Sequence, residues 1–248
     1  MNTQTQAIES RVLTYWTQRA HDFGIVRENE LYNGMSARWL SELEGRFPNK
    51  KDLKILDVGT GTGYFAILLS KAGYAVTGID LTPAMIDEAK ALAEKLNLSA
   101  GFRVMNAQEL EFQSESFDVI VSRNLTWTLP DPYKAYGEWF RVLRPGGVLL
   151  NYDADYAEQI RDDDSQNMSV SCDSPYGHVG MTETLAEENA SITMSMSISR
   201  VARPDWDLGA LGDIGFVNCR ADKTVGSRVL GSLDLAVAPM FGIYALKG

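Results

Sequence analysis

The segment Leu53-Lys54-Ile55-Leu56-Asp57-Val58-Gly59-Thr60-Gly61-Thr62-Gly63 decides the architecture. Its first half is a short apolar run, the pattern of a strand buried on both faces of a parallel sheet. Its second half places glycine at alternate positions. Glycine accepts positive φ at little cost and lets a ligand come close to the backbone. Apolar residues resume at Tyr64, so the loop opens onto a helix whose first N–H groups lack partners and attract polar or anionic groups. Strand, glycine loop and helix in that order predict a ligand site at the carboxyl edge of a sheet.

Outward from that loop the pattern alternates. Helix is expected over 64–72, strand over 75–80, helix over 83–96, strand over 102–106, strand over 117–123, helix over 132–143 and strand over 147–152. Such a rhythm implies right-handed crossovers and a mainly parallel sheet. Thr82-Pro83 reads as a helix start, with Thr as N-cap and Pro at the first helical position. Pro145-Gly146-Gly147 reads as a turn. Upstream, the apolar spacing predicts helices over 4–23 and 29–45. Downstream, a helix over 205–214 closed by Gly215 and strands over 216–224 and 240–246 complete the pattern.

The expected fold is therefore α/β and Rossmann-like, a mainly parallel seven-stranded sheet with helices on both faces. One domain fills 1–248, with a helical N-terminal cap (1–45), a cofactor-binding core (46–153), an insertion or lid after the fifth strand (154–203) and C-terminal strands that complete the sheet (204–248). The insertion is acidic and rich in Ser and Met, and is too long for a plain loop, so it is expected to be partly helical.

Composition narrows the function classes. The 248 residues carry 23 Lys and Arg against 33 Asp and Glu, a formal charge of −10 that repels polyphosphate and argues against a nucleic-acid partner. The two cysteines, Cys172 and Cys219, lack metal-ligand or disulfide-framework spacing, which suits a cytoplasmic setting. No stretch approaches the ~20 apolar residues of a membrane span, and no leader pattern opens the chain. A soluble monomer or homodimer is expected.

The glycines alone leave more than one ligand open. A dinucleotide fingerprint needs a third glycine where this chain has Tyr64, which weakens a pyrophosphate reading and with it a nicotinamide-dependent oxidoreductase. Asp80, about twenty residues on at the end of the second strand, is placed to accept bonds from both hydroxyls of a ribose. Its other possible role, capping the helix at Pro83, is already assigned to Thr82.

LDVGTGTGYFA, VTGIDLTPAMIDEAK, FRVMNAQELEFQSESFDVIVS and RVLRPGGVLL, in that order, resemble the successive motifs of class I S-adenosylmethionine-dependent methyltransferases, particularly the small-molecule branch. The resemblance covers residues 53–152. It implies an antiparallel strand near the sheet edge, S-adenosyl-L-methionine as cofactor and a small-molecule methyl acceptor. Carried over by position, it implies that Gly59, Thr60, Gly61 and Gly63 approach the methionyl part, while Asp57 orients the loop or meets the ammonium. Asp80 takes the ribose, Leu81 and Met85 flank the adenine, and Asn106, Ala107 and Gln108 meet its edge. Asn106 stands where the family often has Asp, and its carbonyl oxygen could still accept from the adenine amino group. Arg123 faces cofactor and acceptor together, followed by Asn124 and Trp127, and Tyr15 lies on a helix that closes over the cofactor.

Transfer from a sulfonium needs alignment more than proton transfer, so no catalytic residue is assigned. Were the acceptor a hydroxyl, His21, His178, Tyr152, Asp153 and Asp155 would be the candidate bases. Asn151, Asp153 and Asp155 alternate along a strand end and offer a Mg²⁺ site as a minor alternative, and no metal is expected. Met181, Met194 and Met196 are either acceptor-pocket or core residues. A module that binds the cofactor without catalysis is the competing function.

Overall fold

The computed structural model describes residues 3–158, 179–231 and 240–248. The sheet has seven strands: β1 (Lys54–Val58), β2 (Ala75–Asp80), β3 (Gly101–Val104), β4 (Phe117–Arg123), β5 (Leu143–Ala154), β6 (Phe216–Asp222) and β7 (Met240–Lys247). Their order is β3-β2-β1-β4-β5-β7-β6. The first five run parallel, and β7 inserts antiparallel between β5 and β6. The chain order reverses between β1 and β4, which opens a crevice at their carboxyl ends where ligands bind in such sheets.

Helices cover both faces. α1 (Thr3–Leu31), α2 (Gly34–Glu44), α3 (Tyr64–Lys71) and α4 (Pro83–Lys95) come before β3; α5 (Pro132–Val142), α6 (Glu183–Ser195), α7 (Asp205–Ile214) and α8 (Val225–Leu230) come after β4. One core cluster joins Trp39, Phe65, Ile67 and Leu69 to Val119, Val121, Tyr152 and Val229. On the opposite face Ile120, Leu149 and Ile243 meet Tyr136, Trp139 and Leu211. A third, smaller cluster packs Val12 and Tyr15 of α1 against Ile192 and Met196. Alternate residues of β4 and β5 thus point to opposite layers, as a two-faced sheet requires.

Three expectations are corrected. The predicted break after Phe23 is absent, and α1 runs on to Leu31. Gly24 lies within that helix and permits close crossing: a Cβ there would lie 3.3 Å from Glu88 Oε2 and 3.6 Å from Thr62 Cγ2. β5 begins at Leu143, so Pro145-Gly146-Gly147 lies within a strand whose pairing with β4 shifts register. α8, six residues long, was not foreseen. Elsewhere β2, β4 and α7 have the expected bounds, and Gly215 closes α7 at φ 115°. The described part of the insertion is helical over Glu183–Ser195 and Ser197–Arg200, while Cys172, His178 and the Asp162–Asp164 run lie outside the described residues.

Candidate active site

A cavity of about 270 Å³ opens at the carboxyl ends of β1, β2 and β4. Its floor is the glycine loop. Gly59 and Gly61 sit at φ 68° and 54°, in the left-handed region that disfavours a side chain. The Asp57 carboxyl organises the turn by accepting from the Thr60 hydroxyl at 2.6 Å and the Ala66 N–H at 3.0 Å. Burial pushes Asp57 up to about 7, partly offset by those two bonds. Of its two expected roles, orienting the loop is the one its contacts fill.

Asp80 is half-buried at the cavity wall. It accepts from the Gly61 N–H at 3.0 Å and the Thr82 N–H at 2.8 Å, so two backbone donors fix the carboxylate's direction. Burial raises its pKa, and those bonds oppose the rise. The premise that Thr82 caps the helix with its side chain does not hold: Thr82 occupies the N-cap position without a side-chain cap bond. Asp80 instead braces both turns. Gly63 stands at the N-cap of α3. A Cβ there would press on Ala89 Cβ at 3.0 Å, Ile67 Cδ1 at 3.1 Å and Phe102 Cε1 at 3.2 Å, so glycine serves helix packing at that point.

Beyond Asp80, the wall contains Leu81, Met85, Asn106, Ala107 and Gln108. The Asn106 carbonyl oxygen accepts from the Gln108 N–H at 2.9 Å, which fixes the side chain's direction at the cavity wall. Both amide groups donate to Glu9 of α1, at 3.2 Å from Asn106 and 2.9 Å from Gln108. Glu9 was missed by the sequence reading; it fastens α1 over this end.

The rest of the cover is one stripe of α1: Val12, Tyr15, Trp16, Arg19, Phe23 and Arg27. Trp16 stacks edge-on against Tyr15 and Phe23, with centroids 5.1 and 5.5 Å away. Arg19 donates to the Val179 carbonyl at 2.5 Å, and Arg11 forms a two-bond pair with Glu188 of α6 at 2.9 Å each. Met181 reaches the cavity, whereas Met194 is exposed and Met196 is core.

At the other end stand Arg123, Asn124, Trp127, Tyr156, Leu230 and Met240, with Tyr64 beside them. Arg123 Nη1 donates to Glu30 Oε2 at 3.0 Å, and Arg27 bonds the other Glu30 oxygen. The Arg123 guanidinium lies 4.8 Å from the Trp39 ring and 5.1 Å from that of Tyr64. Trp127 is held by its indole N–H on the Asn124 carbonyl, so it is both buried and cavity-lining.

Of the candidate bases, those among the described residues are engaged elsewhere. His21 is exposed and faces Glu88. Tyr152 is buried in the core with its hydroxyl toward Glu42. Asp153 accepts from Arg203, Thr126 and the Trp127 N–H, and Asp155 from the Arg203 N–H. Asn151 donates to Tyr136 and Thr126. These three side chains bind the protein to itself, and among the described residues no group of three or more His, Cys, Asp or Glu could hold a metal ion.

The residues fit an adenosyl amino acid. Asp80 is an oriented carboxylate suited to ribose hydroxyls, Leu81 and Met85 are apolar neighbours for a flat base, and a Cβ on Gly61 would meet only Phe23 at 3.6 Å, so the floor has room there. Sheet order, glycine loop and acidic second-strand end together define a class I S-adenosylmethionine-dependent methyltransferase fold. Residues 56–151 match the family model described as a methyltransferase domain. A Mycobacterium tuberculosis protein of uncharacterised function is 34% identical over 97 residues, covering 39% of this chain and 35% of its own length. The ubiquinone biosynthesis O-methyltransferase of Coxiella burnetii is 28% identical over 157 residues, 60% of this chain and 64% of that protein. The chain thus spans about a third of the first relative and under two thirds of the second. Among solved structures, a SAM-dependent methyltransferase from Aquifex aeolicus superimposes with a TM-score of 0.57 at 20% identity, over 92% of this chain and 99% of the other.

Proposed function

We propose that this chain is an enzyme that transfers the methyl group of S-adenosylmethionine to a small-molecule acceptor by in-line displacement. The observation that carries the reading is the Asp80 carboxylate, locked by the Gly61 and Thr82 N–H groups at the rim of the glycine floor. When bound, S-adenosylmethionine supplies a methyl group on a positively charged sulfur, already activated for displacement. The protein's share is then alignment and exclusion of water. Asp57 holds the loop that shapes the floor, and Glu9 ties α1 across the Asn106–Gln108 edge. Burial raises the Tyr64 and Tyr156 phenols, so neither is an anionic base near neutral pH.

A covered cavity of this size suits a metabolite better than a polymer, and the net charge of −10 disfavours nucleic acid. In this reading 1–45 form a cap and 154–203 border the acceptor. Among the described residues no helix is long and apolar enough to cross a membrane. We take the protein to work in the cytoplasm as a monomer or homodimer.

Calorimetry with S-adenosylhomocysteine tests the reading. Wild type should bind, Asp80→Ala should bind at least tenfold more weakly, and labelled methyl should pass from S-adenosylmethionine to a component of a small-molecule extract. No binding, or tighter binding of NAD, would overturn it; binding without any transfer would favour a non-catalytic module.

A further inference from the structure

Where Leu81, Met85, Asn106 and Gln108 gather at the cavity wall, most side-chain acceptors are already engaged. The Asn106 carbonyl oxygen takes two donors from Gln108, the main-chain N–H at 2.9 Å and the side-chain amide at 3.3 Å, which occupy both its lone pairs. The Gln108 carbonyl oxygen takes the Asp131 N–H at 2.8 Å. These bonds fix which way each amide faces, and both amide nitrogens donate to Glu9. Glu9 comes from α1, 97 and 99 residues away in the chain, and lines the cavity beside them. Both donors fall on the same oxygen, Oε1, while Oε2 has no hydrogen-bond partner among the described residues. An ionised carboxylate has room for about four bonds, so Glu9 is held in place by two and can take a further donor.

Adenine carries an exocyclic amino group, and an N–H donor enclosed without an acceptor loses its hydration for nothing in return. Asp80, the other carboxylate at this end, is the one suited to the ribose, and its two oxygens already take the Gly61 and Thr82 N–H groups. We propose that the Glu9 carboxylate accepts the adenine amino group, so that the helix covering the cavity also reads the base. A carboxylate acceptor makes such a bond roughly twice as strong as a neutral one, and a base without the donor forfeits it. Asn106 and Gln108 are then positioning residues, which hold Glu9 at the base edge. The N-terminal cap thereby becomes part of the cofactor site, since only with α1 in place is the acceptor present. This deepens the methyl-transfer reading and rests on it for the identity of the base.

The test compares S-adenosylhomocysteine with its analogue bearing unsubstituted purine in place of adenine, each titrated into the full chain by calorimetry. Wild type should bind S-adenosylhomocysteine at least tenfold more tightly than the analogue, which lacks only the amino group. Glu9→Ala should cut that preference to threefold or less, by weakening S-adenosylhomocysteine while leaving the analogue's affinity within threefold. Glu9→Gln keeps the side chain's shape and can be read even if the alanine variant fails to fold. It should reduce the preference at least threefold, because its single carbonyl oxygen must serve both the two amides and the base. A preference that survives in both variants would overturn the proposal even if both affinities fell, because Glu9 would then only fasten α1. Equal binding of the two ligands to wild type would overturn it too and leave the methyl-transfer reading standing. Failure of wild type to bind either ligand would refute that reading, and this proposal with it.

Discussion

Replacing Asp57 by Asn should change how stability depends on pH. Asp57 is 2% exposed, and burial raises its carboxyl to about 7 in the folded chain. In the unfolded chain it returns to an ordinary value of about 3.9. The folded state therefore holds this proton more tightly, so the group's contribution is fully present below about pH 4 and is lost as pH rises through 7. Three units correspond to about 4 kcal/mol in total, of which about 3 kcal/mol falls between pH 5 and 8. Asn cannot ionise, and its carbonyl oxygen can still accept from the Thr60 hydroxyl or the Ala66 N–H. Urea unfolding of both proteins at pH 5, 6, 7 and 8 measures the difference. Wild type should lose stability relative to Asp57→Asn by roughly 2–3 kcal/mol over that range, allowing for relaxation around the charge. Parallel stability curves would refute the argument, as would a wild type that gains on the variant with rising pH.

Trp39→Ala removes a fully buried ring that meets Phe65 and Tyr152 edge-on, and should cost about 3–5 kcal/mol in denaturant unfolding. Arg203→Ala strands Asp153 and Asp207, both 0% exposed, in the core; a loss of about 3–5 kcal/mol is expected, and a loss under about 1 kcal/mol would show the cluster to be dispensable. Gly59→Ala must hold φ 68° with a methyl 2.7 Å from Leu125, so it should destabilise by about 1–3 kcal/mol and weaken S-adenosylhomocysteine binding in calorimetry.

Where the chain is most regular, the sequence was readable. β1, β2 and β4 are apolar runs ended by Gly59, Asp80 and Arg123, and a strand buried on both faces admits little else. The loop chemistry followed from glycine spacing. What escaped notice depends on distance. Ending α1 at Phe23 cut a stripe of side chains spaced three or four apart, and with it went Arg27 and Glu30; that periodicity, continued through Gly24, would have revealed them. In the sequence Tyr64 reads as the start of a helix where a dinucleotide site would have its third glycine, and only the fold brings its side chain to the cavity. No local pattern could join Thr126 to Arg203, 77 residues away, because such a bond exists only after β5 and α7 have packed.

That bond has a further consequence. Arg203, Asp153 and Thr126 knot the segment carrying Trp127 to β5 from beneath, in surroundings with no solvent to compete. On the α1 side the solvent-facing pairs Arg11–Glu188 and Lys95–Glu28 are loose fastenings that salt screens, while Glu30–Arg123 and the packing of Val12 and Tyr15 on Ile192 and Met196 hold the helix from within. Changes in which molecules the protein admits should therefore accumulate at the exposed positions of α1 and α6, where a new side chain costs little stability, and spare the buried knot below.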